Sequence, residues 1–161
     1  MHKILIAYGT RRGVTAETAS IIADILREKF SHTVDIIDLK KQKGEIELGK
    51  YQNVIIGSSI AYDRWTKEAK KFLLNDFTDK RVAVFVCSGN AGGAAEKNEV
   101  EEYQDFQKKY IDNVLSEYTH IKPVATKAFG GRVRYFRITF FDNWNRDIIV
   151  SWAEELGEKL K

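Results

Sequence analysis

Apolar and polar positions follow two different periods along the chain. Five short runs, at residues 3–8, 33–38, 54–58, 81–88 and 123–129, are dense in Val, Ile, Leu, Ala and Phe and predict strands. Between them the apolar residues recur at helical spacing and predict four helices. Residues 16–30 place Ala19, Ile22, Ala23, Leu26 and Phe30 on one face, and residues 65–77 do the same with Ala69, Phe72, Leu73 and Phe77. Residues 98–118 carry Val100, Tyr103, Tyr110, Val114 and Tyr118 behind an Asn98-x-x-Glu101 capping pattern. Residues 144–160 carry Ile148, Trp152, Leu156 and Leu160. Strands alternating with helices predict an α/β chain: a doubly wound, five-stranded parallel sheet covered on both faces. Pro123, which opens the fifth run, belongs on an edge strand, and Asp35 with Asp38 marks the second run as the other edge. The expected order is 2-1-3-4-5. Residues 40–50 are polar and aperiodic, so they predict a loop with at most a short helix. There are no repeats or low-complexity linkers, and 161 residues suit a single domain, 1–161.

Composition narrows the class without changing this picture. With 43% hydrophobic and 30% charged residues, the chain has the make-up of an ordinary globule. A net charge of +3 is too weak to argue for nucleic acid, which asks for a basic stripe on one face. The longest apolar runs, such as residues 82–87, are too short to span a bilayer, and Gly9 interrupts any signal-peptide pattern. The single Cys87 excludes an internal disulfide, and its place at the end of an apolar run predicts burial; a cytoplasmic location is the simplest expectation. His2, His32 and His120 lack metal-ligand spacing and are expected at the surface or at strand ends, with no metal site.

The chemistry concentrates after the first strand. Thr10, Arg11, Arg12, Gly13, Val14 and Thr15 join a buried strand to an amphipathic helix. A helix start leaves N–H groups unpaired and carries partial positive charge, so an oxyanion is stabilised there. Gly9 and Gly13 permit positive φ and close approach, the threonines add hydroxyls, and the arginines add charge. No Lys follows Gly13 and the glycines lack the G-x-G-x-x-G spacing, which excludes a Walker loop and the dinucleotide fingerprint. The competing reading is an ordinary strand-to-helix turn with Thr15 as N-cap. Ligands of a doubly wound sheet bind where the strand order reverses, here between the first and third strands. Residues 9–15, 58–65 and 88–93 converge on that point. The second segment offers the flat rings of Tyr62 and Trp65, Trp65 being alternatively a helix-start aromatic packed on the surface, while Asp63 is expected to be a solvated acid. The third offers Ser88, Gly89, Asn90 and Gly92 for hydrogen bonds to a ligand edge, or else is a flexible glycine loop with none.

Thr10-Arg11-Arg12-Gly13-Val14-Thr15 resembles the FMN-phosphate loop of flavodoxins. Its T-R-x-G-x-T form is closer to the flavodoxin-like quinone-dependent protoporphyrinogen dehydrogenases. Gly57-Ser58-Ser59-Ile60-Ala61-Tyr62 resembles the G-x-S-I-x-Y segment of that family. The match runs to about residue 141, after which the family usually carries a longer insertion before its last helix. The resemblance implies a flavodoxin-like fold and an FMN site. Residues 10–15 would hold the phosphate, Ser59, Ile60, Ala61, Tyr62 and Trp65 would flank the ring, and Ser88, Gly89, Asn90 and Gly92 would face its pyrimidine edge.

Residues 127–146 interleave Lys127, Arg132, Arg134, Arg137 and Arg146 with Phe129, Tyr135, Phe136, Phe140, Phe141 and Trp144. Such a mixture suits an anionic porphyrin, an acidic redox partner or a lipid headgroup surface, or else packs beneath the last helix. Strand alternation would set Arg132, Arg134 and Arg137 on one docking face. Three functions remain open. One is an FMN electron carrier between cellular partners. A second is a flavoenzyme that dehydrogenates protoporphyrinogen or a related reductant with a quinone acceptor, at the inner face of the membrane. The third is a flavin-free binding module. No catalytic acid or base is assigned.

Overall fold

A parallel sheet of five strands organises the molecule in the computed structural model, which describes residues 3–161. β1 (Lys3–Gly9), β2 (Thr33–Asp38), β3 (Asn53–Ser59), β4 (Arg81–Cys87) and β5 (Ala125–Phe129) lie in the expected order β2-β1-β3-β4-β5. Ile6 sits between Ile36 of β2 and Ile55 of β3, and Phe85 of β4 pairs with Lys127 of β5. The pleat divides the apolar residues between two cores. Ile4 and Ile6 face α1 (Val14–Phe30) and α6 (Arg146–Lys159). Leu5 and Ala7 face α2 (Lys67–Phe72) and the chain that follows α3 (Gly89–Glu96). That chain runs through α4 (Val100–Gln107), a π-helical turn at Lys108–Asp112 and α5 (Asn113–Leu115). Between β5 and α6, β6 (Arg132–Tyr135) and β7 (Ile138–Asp142) form an antiparallel hairpin.

Several boundaries differ from expectation, each for a local reason. α2 ends at Phe72 rather than 77, because the Asn75 side chain donates to the Phe72 carbonyl and Asp76 accepts from the Thr78 N–H and hydroxyl. Such local bonds compete with helix continuation. Asn98 caps nothing: with φ +55° it ends α3 in the left-handed region, and α4 begins after Glu99. α6 starts at Arg146, where the Asn145 side chain accepts from the N–H groups of Asp147 and Ile148. β5 begins at Ala125, two residues past Pro123. Residues 40–50 hold only a 3-10 turn at Leu48–Lys50. His32, expected at the surface or a strand end, lies just before β2 and is buried against the ring of Phe30; His2 lies outside the described residues. At the β2 edge, Asp35 takes the Tyr51 hydroxyl and the Lys3 ammonium.

Candidate functional site

β1 leads into the switch point through Gly9, where a side chain would collide with Thr66. Glycine is needed there for close approach and not for positive φ. Gly13 is the residue in the left-handed region, at φ +87°, and it is the N-cap of α1. Its N–H donates to the Thr10 hydroxyl at 3.0 Å. Thr15 is therefore not the cap. It falls in the first turn of the helix, fully buried, and its Oγ1 has no hydrogen-bond partner among the described residues. Among those residues α1 also has no side-chain cap. Uncapped N–H groups beside a buried, unsatisfied hydroxyl form a donor set that suits an oxyanion.

The floor beneath is closed by buried side chains. Thr18 donates to the Val14 carbonyl, accepts the Trp144 indole N–H at 2.9 Å and lies 3.5 Å from the Cys87 sulfur. Burial pushes the Cys87 thiol up to about 11, against smaller opposing pulls from the Thr18 and Thr15 hydroxyls, so Thr15 also lies against the thiol.

The loop after β3 is braced from both sides. The Arg11 guanidinium donates to the Ser59 carbonyl at 2.9 Å, the Ser59 hydroxyl at 3.2 Å, the Arg64 carbonyl at 3.1 Å and the Trp65 carbonyl at 2.8 Å. Arg11 thus ties two of the converging segments together, and burial lowers its pKa against the pull of Glu68. The tip turns tightly between Ala61 and Arg64, with Tyr62 and Asp63 both at positive φ. Tyr62 is 96% exposed and presents a free ring face. Trp65, expected as a second ring wall, is instead a core residue that donates its indole N–H to the Tyr110 carbonyl at 2.7 Å. Its flat apolar surface gains more from the core than from a solvent-facing loop.

Asp63 is not free in solvent. It accepts the Tyr110 hydroxyl and pairs with Lys109 at 3.1 Å, and these two, the hydroxyl first, hold its carboxyl below the usual range. Tyr110 is shifted upward, by burial first and then by Asp63. Its oxygen also receives the Asn90 amide at 3.1 Å. Tyr110 therefore links the loop after β3 to the start of α3. Sequence reasoning placed it only in a helix core; the π-helical turn that aims it leaves no signature in the apolar pattern.

The third segment is helical where a glycine loop was expected. Ser88 is the N-cap of α3 and accepts the Ala91 N–H at 3.2 Å. Asn90 is exposed and turned toward Tyr110. Gly89 and Gly92 accommodate the hairpin: side chains there would strike Phe141 and Asn143. Asn143 completes the seat, donating to the Gly89 carbonyl at 2.8 Å and accepting from the Gly131 N–H at 2.9 Å.

The result is a cleft of about 60 Å3. Arg11, Arg12, Val14, Ser59, Ile60, Ala61, Cys87 and Gly89 line it from the expected segments, with Gly131, Arg132, Val133 and Phe141 from the hairpin region. That volume suits a phosphate-sized group; a larger ligand must extend past it toward the exposed Tyr62. A second cavity of about 260 Å3 lies beside β5, bordered by Tyr103, Lys127, Asn145 and Ile148.

The hairpin also corrects the arginine reading. Arg132 pairs with Glu17 at 3.1 Å and Asp142 at 3.0 Å, and its guanidinium lies over the Trp144 ring. It is a structural clamp. Arg134 bonds Thr139 across the hairpin, and Arg137 lies in the turn beyond β6. The three do not form one free face.

A sheet of this order with a phosphate-sized cleft at its switch point defines a class of nucleotide-cofactor and anion-binding α/β proteins. Residues 5–155 match the family model described as Flavodoxin domain, and the chain belongs to that family. It is 24% identical over 153 residues to the quinone-type protoporphyrinogen IX dehydrogenase of Escherichia coli K12, covering 94% of this chain and 80% of that one. The oxidised flavodoxin 1 of Bacillus cereus superposes with a TM-score of 0.63 at 19% identity, covering 99% of both chains. The NAD(P)H:quinone oxidoreductase of Methanothermobacter marburgensis gives 0.64 at 12%, again over 99% of both.

Proposed function

We propose that this flavodoxin-family chain is an FMN-binding redox protein that passes electrons between cellular partners. The observation that carries the reading is the uncapped start of α1, where the buried Thr15 hydroxyl has no geometric hydrogen bond among the described residues and faces the weakly bonding Cys87 thiol. FMN supplies one- and two-electron chemistry that no side chain here offers. Residues 10–15 hold its phosphate, through backbone N–H groups and Thr15. Arg11 acts by bracing the loop after β3, where both of its terminal guanidinium nitrogens donate to backbone carbonyls. Ser59, Ile60 and Ala61 border the ring, and Tyr62 supplies the exposed stacking face. Ser88, Gly89, Asn90 and Gly92 shape the far wall through α3 rather than by direct side-chain hydrogen bonds. The exchange partner, a redox protein or a quinone or porphyrin, approaches at the hairpin, where Arg134 and Arg137 stay exposed. A cytoplasmic site of action is part of this reading.

The second reading is a flavoenzyme that dehydrogenates protoporphyrinogen or a related reductant with a quinone acceptor. The relative named for that activity, together with the aromatic, basic hairpin beside the cleft, favours it. Reduction of a quinone by protoporphyrinogen in the presence of the purified protein distinguishes it from the carrier.

The test of the cofactor is Thr15→Val. Fluorescence titration is expected to show FMN bound far more tightly than riboflavin, and the variant to lose about 10-fold in FMN affinity alone. Equal affinity for the two flavins in the native protein would remove the phosphate site. No binding of either would leave a flavin-free module.

A further inference from the structure

We propose that the tip of the β6–β7 hairpin is a membrane-docking element that enters the headgroup region of an anionic lipid surface. Of the large apolar side chains exposed on the described residues, half fall between positions 135 and 141. Phe136 is 97% exposed, Phe140 64%, Ile138 63% and Tyr135 51%. Clustered exposure of this kind marks an interaction site, whereas isolated exposed residues need no explanation.

The backbone argues the same way. Phe136 and Arg137 form the two-residue turn between β6 and β7, and Phe136 sits at φ +52°. Glycine or asparagine normally takes such a position, because a β-carbon is strained there. A large aromatic ring at the apex satisfies no packing within the molecule. Local rules broken without internal compensation point to function.

The charge selects the occupant. Arg134 and Arg137 are exposed on the hairpin, and Arg12 lies over the Tyr135 ring at 4.3 Å and donates to its hydroxyl. The hairpin's acid, Asp142, is taken by Arg132. Rings at an apex with cations behind them match the depth profile of a bilayer interface, where apolar groups reach the acyl boundary and guanidinium groups stay with the phosphates. A narrow two-stranded tip does not offer the roughly 800 Å2 per partner of a stable protein interface. The base is fixed by Arg132 to Glu17, Asn143 to Gly89 and Trp144 to Thr18, so the tip projects from a rigid seat. It rises from the carboxyl end of β5, the end of the sheet that holds the cleft. Docking therefore brings the cleft to the lipid surface, where a lipid-dissolved electron carrier is met.

Binding at the tip does not rest on the flavin reading, and the experiment keeps the two apart. The full chain is floated with phosphatidylcholine vesicles, with and without about a third phosphatidylglycerol. Binding is expected only with the anionic lipid, weakening as salt rises. Phe136→Ser with Phe140→Ser is expected to lower partitioning at least ~10-fold. Arg134→Gln with Arg137→Gln is expected to weaken it and flatten the salt dependence. Phe136→Gly serves as the folding control, since it relieves the turn: it is expected to raise the melting temperature and still weaken vesicle binding. FMN titration of the same variants is expected to be unchanged. Failure of the native chain to bind anionic vesicles overturns the proposal, as does equal binding by the serine variant. A lipid-free dimer abolished by the same serine substitutions would assign the tip to a second copy of the chain instead.

Discussion

Two regions meet at the cleft, and they are built on opposite terms. On one side, the segments after β1 and β3 are locked by Arg11, Thr18, Ser58 and Tyr110, with almost every polar group engaged. Among the buried groups there, the Thr15 hydroxyl stands out, with no geometric hydrogen bond among the described residues. On the other side, the hairpin is anchored at its base and through Tyr135 to Arg12, and it leaves Phe136 and Phe140 turned outward. The contrast separates two tasks. A site for a resident anion gains from donors fixed in advance, because ordering them at the moment of binding would cost affinity. A surface that meets a partner gains from exposure and leaves its apolar groups unsatisfied until contact.

The largest expected effect probes the buried floor of the locked side. The Cys87 thiol sits near 11 in the folded chain against an ordinary value of 9.0. Folding favours the protonated form, so the stability contributed below pH 9 is lost as pH rises through 9 to 11. The loss approaches about 2–3 kcal/mol at the upper end. Urea titrations at pH 8 and pH 11 are expected to diverge more for the native chain than for Cys87→Ala. An identical pH response in both would mean that the floor is wet.

Next in size is the brace itself. Arg11→Ala removes four hydrogen bonds to the loop after β3 and is expected to cost about 1–2 kcal/mol of stability. FMN affinity should fall with it, since the ring-flanking loop loses its fixed position. A stable variant with native flavin affinity would show that the loop holds its shape without Arg11.

The smallest effect belongs to the hairpin. Arg132→Gln breaks partly exposed pairs with Glu17 and Asp142, so it is expected to cost no more than about 1 kcal/mol. Limited proteolysis should then cut more readily between residues 132 and 142, while FMN affinity stays within about threefold of native. If flavin affinity collapses instead, the two regions are not separable and the comparison fails.

Much of this was legible in the chain. Apolar runs of strand length alternating with helical spacing gave the parallel sheet, and the Asp35–Asp38 pair marked β2 as an edge, whereas Pro123 lies before β5 rather than in it. Glycine and hydroxyl residues at the first turn marked the candidate anion site, since that property is local to one strand–helix junction. Less legible were the roles of single side chains there. Arg11 read as a phosphate cation and is a brace; Trp65 read as a ring wall and is core; Asn90 read as a ligand contact and is bound to Tyr110. Each of these side chains takes partners tens of residues away, and no periodicity encodes that.

The sequence by itself determined which residues are apolar at which spacing, and therefore the strands, the main helices and the place where the strand order reverses. Burial of matching faces leaves few other arrangements. Tertiary structure alone decided that α3 begins at Gly89, where Ser88 can cap it and Phe141 can approach. It alone decided that a π-helical turn swings Tyr110 between two loops, and that Arg132 is spent inside the molecule while Phe136 is left outside. These outcomes depend on which polar groups find partners once the cores have closed. Residue type sets what a side chain can bond, and only the closed fold sets what lies within its reach.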